Sequence, residues 1–243
     1  MIGLPDAVTA CLFDLDGVLT STAVQHESAW RETFDAFLAT RADGDRGPFT
    51  HEDYLDTVDG RPRADGVRAF LASRGISLPE GTPDDPPEAP TVHGVGNRKN
   101  DLLLTTIAEQ GVEPYAGSVA YLKAAHDAGL AIGVVTSSAN GAAVLRAAHL
   151  DQYVQVRVDG LTIARDGLAG KPAPDSFLAG AKALGVAPEH TAVFEDALSG
   201  VAAAKAGGFG HVVGVDRSGQ ADALRAHGAD TVVADLADLL ATS

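Results

Sequence analysis

The stretch CLFDLDGVLTST, residues 11–22, decides how the chain is to be read. An apolar run, AVTACLF (7–13), stops at an aspartate, a second aspartate stands two positions on, and a glycine follows. Residues i and i+2 of a strand point to the same side, so Asp14 and Asp16 leave the end of the strand together. Like charges at that range repel. Two carboxylates there make sense if a divalent cation such as Mg2+ neutralises them, or if one is kept protonated as an acid. A solvated turn is the ordinary reading of an isolated D-x-D-G, and this stretch by itself leaves the three readings open.

Beyond this strand the two halves of the chain differ. The second half alternates short apolar runs with Ala-rich amphipathic stretches, the pattern of β-α units that build a parallel sheet. LAIGVVT (130–136), TAVFED (191–196) and HVVGVD (211–216) predict buried strands, with weaker ones at YVQVRV (153–158) and DTVVA (230–234). GAAVLRAAHL (141–150), PDSFLAGAKALG (174–185) and LSGVAAAKAGG (198–208) predict helices, two of them stopped by glycine. No strand like 7–13 follows it until about residue 130. Helical spacing instead marks 24–39, 63–75 and 98–111, separated by polar loops. The expectation is an α/β protein with residues 1–21 and 112–243 in the sheet-bearing core and 22–111 as an inserted helical domain. LPEGTPDDPPEAP (78–90), rich in proline and acid and without period, predicts an exposed loop inside the insert. There is no internal repeat.

The 243 residues carry 33 Asp and Glu against 18 Lys and Arg, a net charge of −15. That balance argues against a surface that attracts nucleic acid or anionic lipid. An anionic ligand would need a local basic pocket or a metal ion. The single cysteine, Cys11, cannot form an internal disulfide and sits in an apolar run, so a reducing cytoplasm is the expected compartment. The first residues lack a basic region followed by an apolar stretch, and no segment reaches the length of a membrane span. A monomer working on a small molecule is expected.

Three further elements carry chemistry. VVTSSANG (134–141) runs from a strand through hydroxyl side chains into a helix start. Thr136, Ser137, Ser138 and Asn140 thus offer donors beside free helix N–H groups, a ready phosphate site, although ordinary capping accounts for one of them. GKPAPDSF (170–177) places Lys171 before a proline-rich turn, where it can supply a fixed charge for a phosphoryl group. VFEDALSG (193–200) ends a strand with Glu195 and Asp196, repeating the acidic pattern of the opening stretch. Ligands bind at the carboxyl ends of strands in open α/β sheets.

These four elements, in this order, resemble the haloacid dehalogenase superfamily of phosphotransferases. The resemblance covers nearly the whole chain and is loosest around 40–50 and 76–96. It implies a Rossmann-like parallel sheet with a mobile helical cap inserted after the first motif. By the same resemblance Asp14 would take up a phosphoryl group as an aspartyl phosphate, and Asp16 would serve as general acid and base. Mg2+ would be held by Asp14, the main-chain carbonyl of Asp16 and Asp196, with Glu195 alongside. Thr136 and Lys171 would grip the transferring phosphate.

Within the superfamily, DGVLTSTAVQHESAW (16–30), GRPRADG (60–66) and GNRKNDLL (96–103) are similar to the corresponding stretches of the β-phosphoglucomutase family. Its members interconvert β-glucose 1-phosphate and glucose 6-phosphate through glucose 1,6-bisphosphate, which also primes them. Carried over, Arg63 would bind the distal phosphate together with Ser138 and Asn140. His26 and Lys99 would align the sugar and Asp16 when the cap closes, and Thr22 would lie at the hinge. Ala139 stands where the family usually has a lysine, and Ser21 where an aspartate is common. A phosphosugar phosphatase on the same scaffold and a catalytically silent phosphosugar-binding protein are the rival readings.

Overall fold

The computed structural model describes residues 2–241. Six strands form one sheet: β1 (Ala10–Phe13), β2 (Ala131–Val135), β3 (Val156–Val158), β4 (Thr191–Glu195), β5 (His211–Val215) and β6 (Thr231–Val233). All neighbours are parallel, in the order β3-β2-β1-β4-β5-β6. β1 therefore lies at the centre, between β2 and β4, and the carboxyl ends of these three strands lie side by side. Both faces of β1 are buried, as a parallel sheet covered by helices requires. Phe13 stacks on Phe194 of β4 at 4.3 Å between ring centres. Cys11 is fully buried in β1, and that burial pushes its thiol far above the ordinary range.

The described chain divides into two compact units, one made of the residues up to Ser21 and those from Val112 onward, the other of Thr22–Gly111. The second unit is helical: α1 (Thr22–Ala39), α2 (His51–Asp53) running into a π-helical turn (Tyr54–Val58), α3 (Arg63–Ser73) and α4 (Val92–Gln110). Its core is aromatic. Trp30 and Phe34, one turn apart on α1, stack at 4.9 Å, and Phe34 meets Phe70 of α3 at 4.0 Å. The first unit adds α5 (Ala116–Asp127), α6 (Gly141–Ala147), α7 (Gly160–Asp166), α8 (Asp175–Leu184), α9 (Leu198–Ala206), α10 (Ala221–His227) and α11 (Asp238–Ala241) to the sheet. The helix predicted at 174–185 stops as expected, with Gly185 left-handed at φ 71°. No helix among the described residues is long and apolar enough to cross a membrane.

Three predicted segments differ in extent, and α2 with its π-helical turn forms within the stretch between 39 and 63 that reads as polar loop. The predicted strand 153–158 is shorter, because Asp151–Tyr153 form a 3-10 turn and the ladder covers only Val156–Val158. The helix predicted at 141–150 ends at Ala147, two residues before His149 takes a left-handed φ of 57°. The helix predicted from residue 98 begins at Val92, capped by Thr91, whose hydroxyl accepts from Gly94 N–H at 3.0 Å. Its glycines answer to packing, since a Cβ on Gly94 would lie 2.3 Å from the Ala89 carbonyl oxygen. Residues 78–90 hold no helix or strand. They are pinned to α4 by Asn97, which donates to the Pro83 and Asp85 carbonyls at 3.0 and 2.8 Å.

A capping box starts α2. The Thr50 hydroxyl accepts from Asp53 N–H at 3.1 Å, and the Asp53 carboxylate accepts from Thr50 N–H at 2.8 Å and from Arg74 Nη2 at 2.6 Å. Burial works to raise the Asp53 carboxyl, but these donors hold it below the ordinary carboxylate value. A depressed carboxylate stabilises above its unfolded pKa and loses that effect as pH falls through its folded one. Asp53→Ala is therefore expected to cost about 1–2 kcal/mol at neutral pH. The difference from the unaltered protein should shrink as pH drops below about 4, and urea denaturation across that range checks both.

Candidate active site

Where β1 ends the ladder continues one step: Asp14 N–H donates to the Phe194 carbonyl at 2.9 Å, holding Asp14 beside β4. The chain then turns sharply. Gly17 N–H donates to Thr20 C=O at 2.8 Å, and Gly17 adopts φ 97°, a conformation that favours glycine. A side chain is excluded there as well, since a Cβ would fall 1.9 Å from Asp196 Oδ2. The turn carrying Asp14 and Asp16 thus packs directly on the carboxylate of Asp196, which follows β4.

Lys171, on the connection between α7 and α8, reaches into this cluster. Its Nζ donates to Asp14 Oδ1 at 2.6 Å and to Glu195 Oε1 at 2.5 Å, and lies 3.4 Å from the Val135 carbonyl oxygen at the end of β2. All three side chains are buried, Lys171 and Glu195 with no side-chain exposure. Burial alone would lower the lysine, but the two carboxylates more than offset it and hold the ammonium protonated. Asp14 is pushed up to about 8, by burial first, against the opposing pull of Lys171, with Glu195 and Asp16 adding to the rise. Glu195 Oε2 accepts from Ala197 N–H at 2.8 Å, so both of its oxygens are engaged by the protein. Asp16 accepts from the Thr136 hydroxyl at 3.2 Å. Beyond Thr136, Ser138 N–H donates back to the Thr136 hydroxyl at 3.0 Å, and Ser138 Oγ accepts from Asn140 N–H at 3.2 Å. Asn140 precedes α6 without a side-chain capping bond, while Ser137 lies half-buried in the same loop.

Asp14, Asp16, Glu195 and Asp196 set four carboxylates against one lysine. Oxygen donors with excess negative charge suit a hard divalent cation. Among the described residues no three His, Cys, Asp or Glu side chains converge as a finished metal cage. Mg2+ needs only one or two carboxylates, since waters and substrate phosphate oxygens complete its shell, so the donors at this edge would suffice for it.

The remaining expected residues belong to the helical unit. Lys99 of α4 is buried at 4 % exposure, with Nζ 3.1 Å from His26 Nδ1 and 5.0 Å from the Trp30 ring centre. Arg63 opens α3, and its aliphatic stem lies against α4 where a Cβ on Gly96 would come within 3.1 Å of it. Burial lowers the Arg63 guanidinium from its ordinary value, and Asp101 opposes that. Thr22, the first residue of α1, is buried.

Sequence reasoning passed over Arg217 and Gln220, which follow β5. Arg217 Nε donates to the Gly17 carbonyl at 3.0 Å, and Gln220 Nε2 to the Asp196 carbonyl at 3.1 Å. The available signal was their position, just past a strand at the sheet's carboxyl edge.

Removing one partner of a buried ion pair leaves an uncompensated charge, at a cost of about 3–5 kcal/mol. Lys171→Met is expected to lose stability on that scale, and Lys171→Met with Glu195→Gln to recover part of it. Urea titration of both variants checks the coupling.

Comparison with known proteins extends the geometry. The family model of haloacid dehalogenase-like hydrolases matches residues 8–208. A β-phosphoglucomutase of Mycobacterium bovis is 55 % identical over 99 % of this chain and 94 % of its own. One of Bacillus subtilis is 31 % identical over 95 % and 91 %. The crystal structure of CbbY from Rhodobacter sphaeroides in complex with phosphate is similar at 25 % identity with a TM-score of 0.70, covering 96 % of each chain.

Proposed function

Because this chain belongs to the haloacid dehalogenase-like hydrolase family, an enzyme family that implies a metal cofactor, we propose that it is a phosphosugar mutase. In this reading it interconverts β-glucose 1-phosphate and glucose 6-phosphate. Supporting the choice of reaction is the 55 % identity to a β-phosphoglucomutase along almost the full length of both chains. The observation that carries the chemistry is local. A buried ammonium holds Asp14 at 2.6 Å, while Asp16, two residues on, is hydrogen-bonded to Thr136. This arrangement supports the reading of Asp14 as nucleophile, Asp16 as proton carrier and Lys171 as a fixed charge for phosphate.

Mg2+, held by Asp14, the Asp16 main-chain carbonyl and Asp196, would supply charge neutralisation for the carboxylates and the transferring phosphate. Asp14 attacks phosphorus and the bond from phosphorus to the sugar oxygen breaks. Asp16 gives its proton to that oxygen, and takes one back from the sugar hydroxyl that later attacks the aspartyl phosphate. Lys171 and Thr136 stabilise the transferring group, with Glu195 keeping the lysine in place. The intermediate, β-glucose 1,6-bisphosphate, has to be held by either phosphate in turn. Arg63, with Ser138 and Asn140, is assigned to the distal phosphate, and Ser137 to substrate binding. His26 and Lys99 are assigned to the sugar, and Thr22 to the hinge. The enzyme is taken as a cytoplasmic monomer.

The test follows glucose 6-phosphate and free phosphate together, from β-glucose 1-phosphate with Mg2+ and a trace of the bisphosphate. Glucose 6-phosphate with little free phosphate is expected; free phosphate alone would make water the acceptor and the protein a phosphatase. Asp14→Asn should abolish turnover, and Asp16→Asn should slow it by roughly a hundredfold to ten-thousandfold. Arg63→Ala should lose mutase flux while retaining some hydrolysis, so an equal loss of both would remove the distal-phosphate role.

A further inference from the structure

The segment Asp216–Gln220, which follows β5, touches both acidic turns through their main chains. Arg217 reaches the first: its Nε donates to the Gly17 carbonyl at 3.0 Å, one residue past Asp16. Nη1 is anchored away from the site, while Nη2 is buried without a hydrogen-bond partner. Nη1 donates to the Ala234 carbonyl at 2.9 Å and approaches Asp235 at 3.3 Å, and the group lies 3.7 Å from the Tyr115 ring centre. Gln220 reaches the second turn: its Nε2 donates to the carbonyl of Asp196 at 3.1 Å. The strap is braced internally, because Gln220 N–H donates to Asp216 Oδ1 at 2.8 Å.

The two turns have reason to part. Each carries carboxylates, and like charges in a partly buried site repel strongly. At the same time Gly17 packs so tightly on Asp196 that no Cβ fits between them. Something must hold the turns together whether or not a cation bridges them. Lys171 bridges Asp14 to Glu195 and Asp14 N–H bonds to Phe194; the strap adds two main-chain hydrogen bonds, to Gly17 and Asp196, and one positive charge. A planar guanidinium clamped at both ends holds its geometry better than a flexible ammonium would.

We infer that Arg217 and Gln220 are positioning residues that hold the Asp14–Gly17 turn and the Asp196 turn at the separation the cation requires, and so set the affinity of the site for Mg2+. The inference rests on the reading that Asp14, Asp16 and Asp196 hold the cation. Neither residue touches the reacting atoms. Their contribution is preorganisation, which outer-shell partners of metal ligands commonly provide at about 10–100-fold in affinity.

The test is a calorimetric titration of the metal-free protein with Mg2+, comparing the unaltered chain with Arg217→Ala, Arg217→Lys and Gln220→Met. Melting in chelator reports whether each variant is folded. Turnover measured against Mg2+ concentration separates affinity from rate. The dissociation constant is expected to rise about tenfold in Arg217→Ala and in Gln220→Met, with a smaller rise in Arg217→Lys. Turnover should return to within about twofold of normal at saturating Mg2+, as a pure loss of uniform binding predicts. Folded variants with unchanged Mg2+ affinity would overturn the inference, as would a fall in turnover that excess Mg2+ does not restore. Gln220→Met, of similar length but without the Nε2 donor, carries the test if Arg217→Ala does not fold. Failure of the unaltered protein to bind Mg2+ would overturn the cation reading and this inference with it; equal binding by all forms would overturn the inference alone.

Discussion

A single ammonium group organises the catalytic unit. Lys171 is sealed from solvent between Asp14 and Glu195, at the ends of two adjacent strands, with the last carbonyl of a third within 3.4 Å. Burying such a charge is tolerable only with close partners, so the carboxyl ends of β1, β2 and β4 must arrive at one point. The neighbouring sequence answers to that demand. Gly200, in the first turn of α9, has no room for a side chain because a Cβ would lie 1.8 Å from Glu195 Oε1. Ala197 offers its N–H to the other oxygen of the same carboxylate. The opening aspartate is thus held in place by a cation drawn from more than 150 residues away in the chain.

Much of this geometry was legible in the sequence because acids at the ends of apolar runs have few places to go. A strand delivers its last side chains to the carboxyl edge of the sheet, and parallel neighbours deliver theirs to the same edge. Asp14, Thr136 and Glu195 therefore met once β1, β2 and β4 had been recognised as strands. Errors came where one residue type serves two ends. Gly94 and Gly96 look like helix breakers, yet both lie inside α4, where the Ala89 carbonyl and the Arg63 stem come too close for a side chain. Tyr153 looks like strand, yet its N–H closes a turn on the Leu150 carbonyl. Arg217 and Gln220 escaped notice for another reason. They act on main-chain carbonyls, which every residue possesses, so no pattern of side-chain types announces their partners.

The helical unit shows the limit of reading single residues. Lys99 on α4 and His26 on α1 are ordinary helix residues by composition. Their 3.1 Å contact beside the Trp30 ring makes them a partly buried polar pair next to an aromatic core. The two departures from the family pattern have plain settings. Ser21 ties the chain entering this unit to the chain leaving it, donating through both its N–H and its hydroxyl to the Glu113 carbonyl at 3.0 and 3.2 Å. Ala139 lies in a loop packed so closely on Gly160 that a Cβ there would be 2.8 Å from its nitrogen.

The placement of Cys11 has a practical consequence. It is the chain's one thiol, sealed in the central strand with its proton held far more tightly than in water. Thiolate is the species that alkylating reagents attack, so the folded protein presents no reactive sulfur of its own. A cysteine introduced on any exposed residue becomes a unique attachment point for a spin label or fluorophore, with no native thiol to remove first. The buried sulfur would become reactive only when β1 leaves the sheet, which makes its alkylation rate a direct reporter of global unfolding.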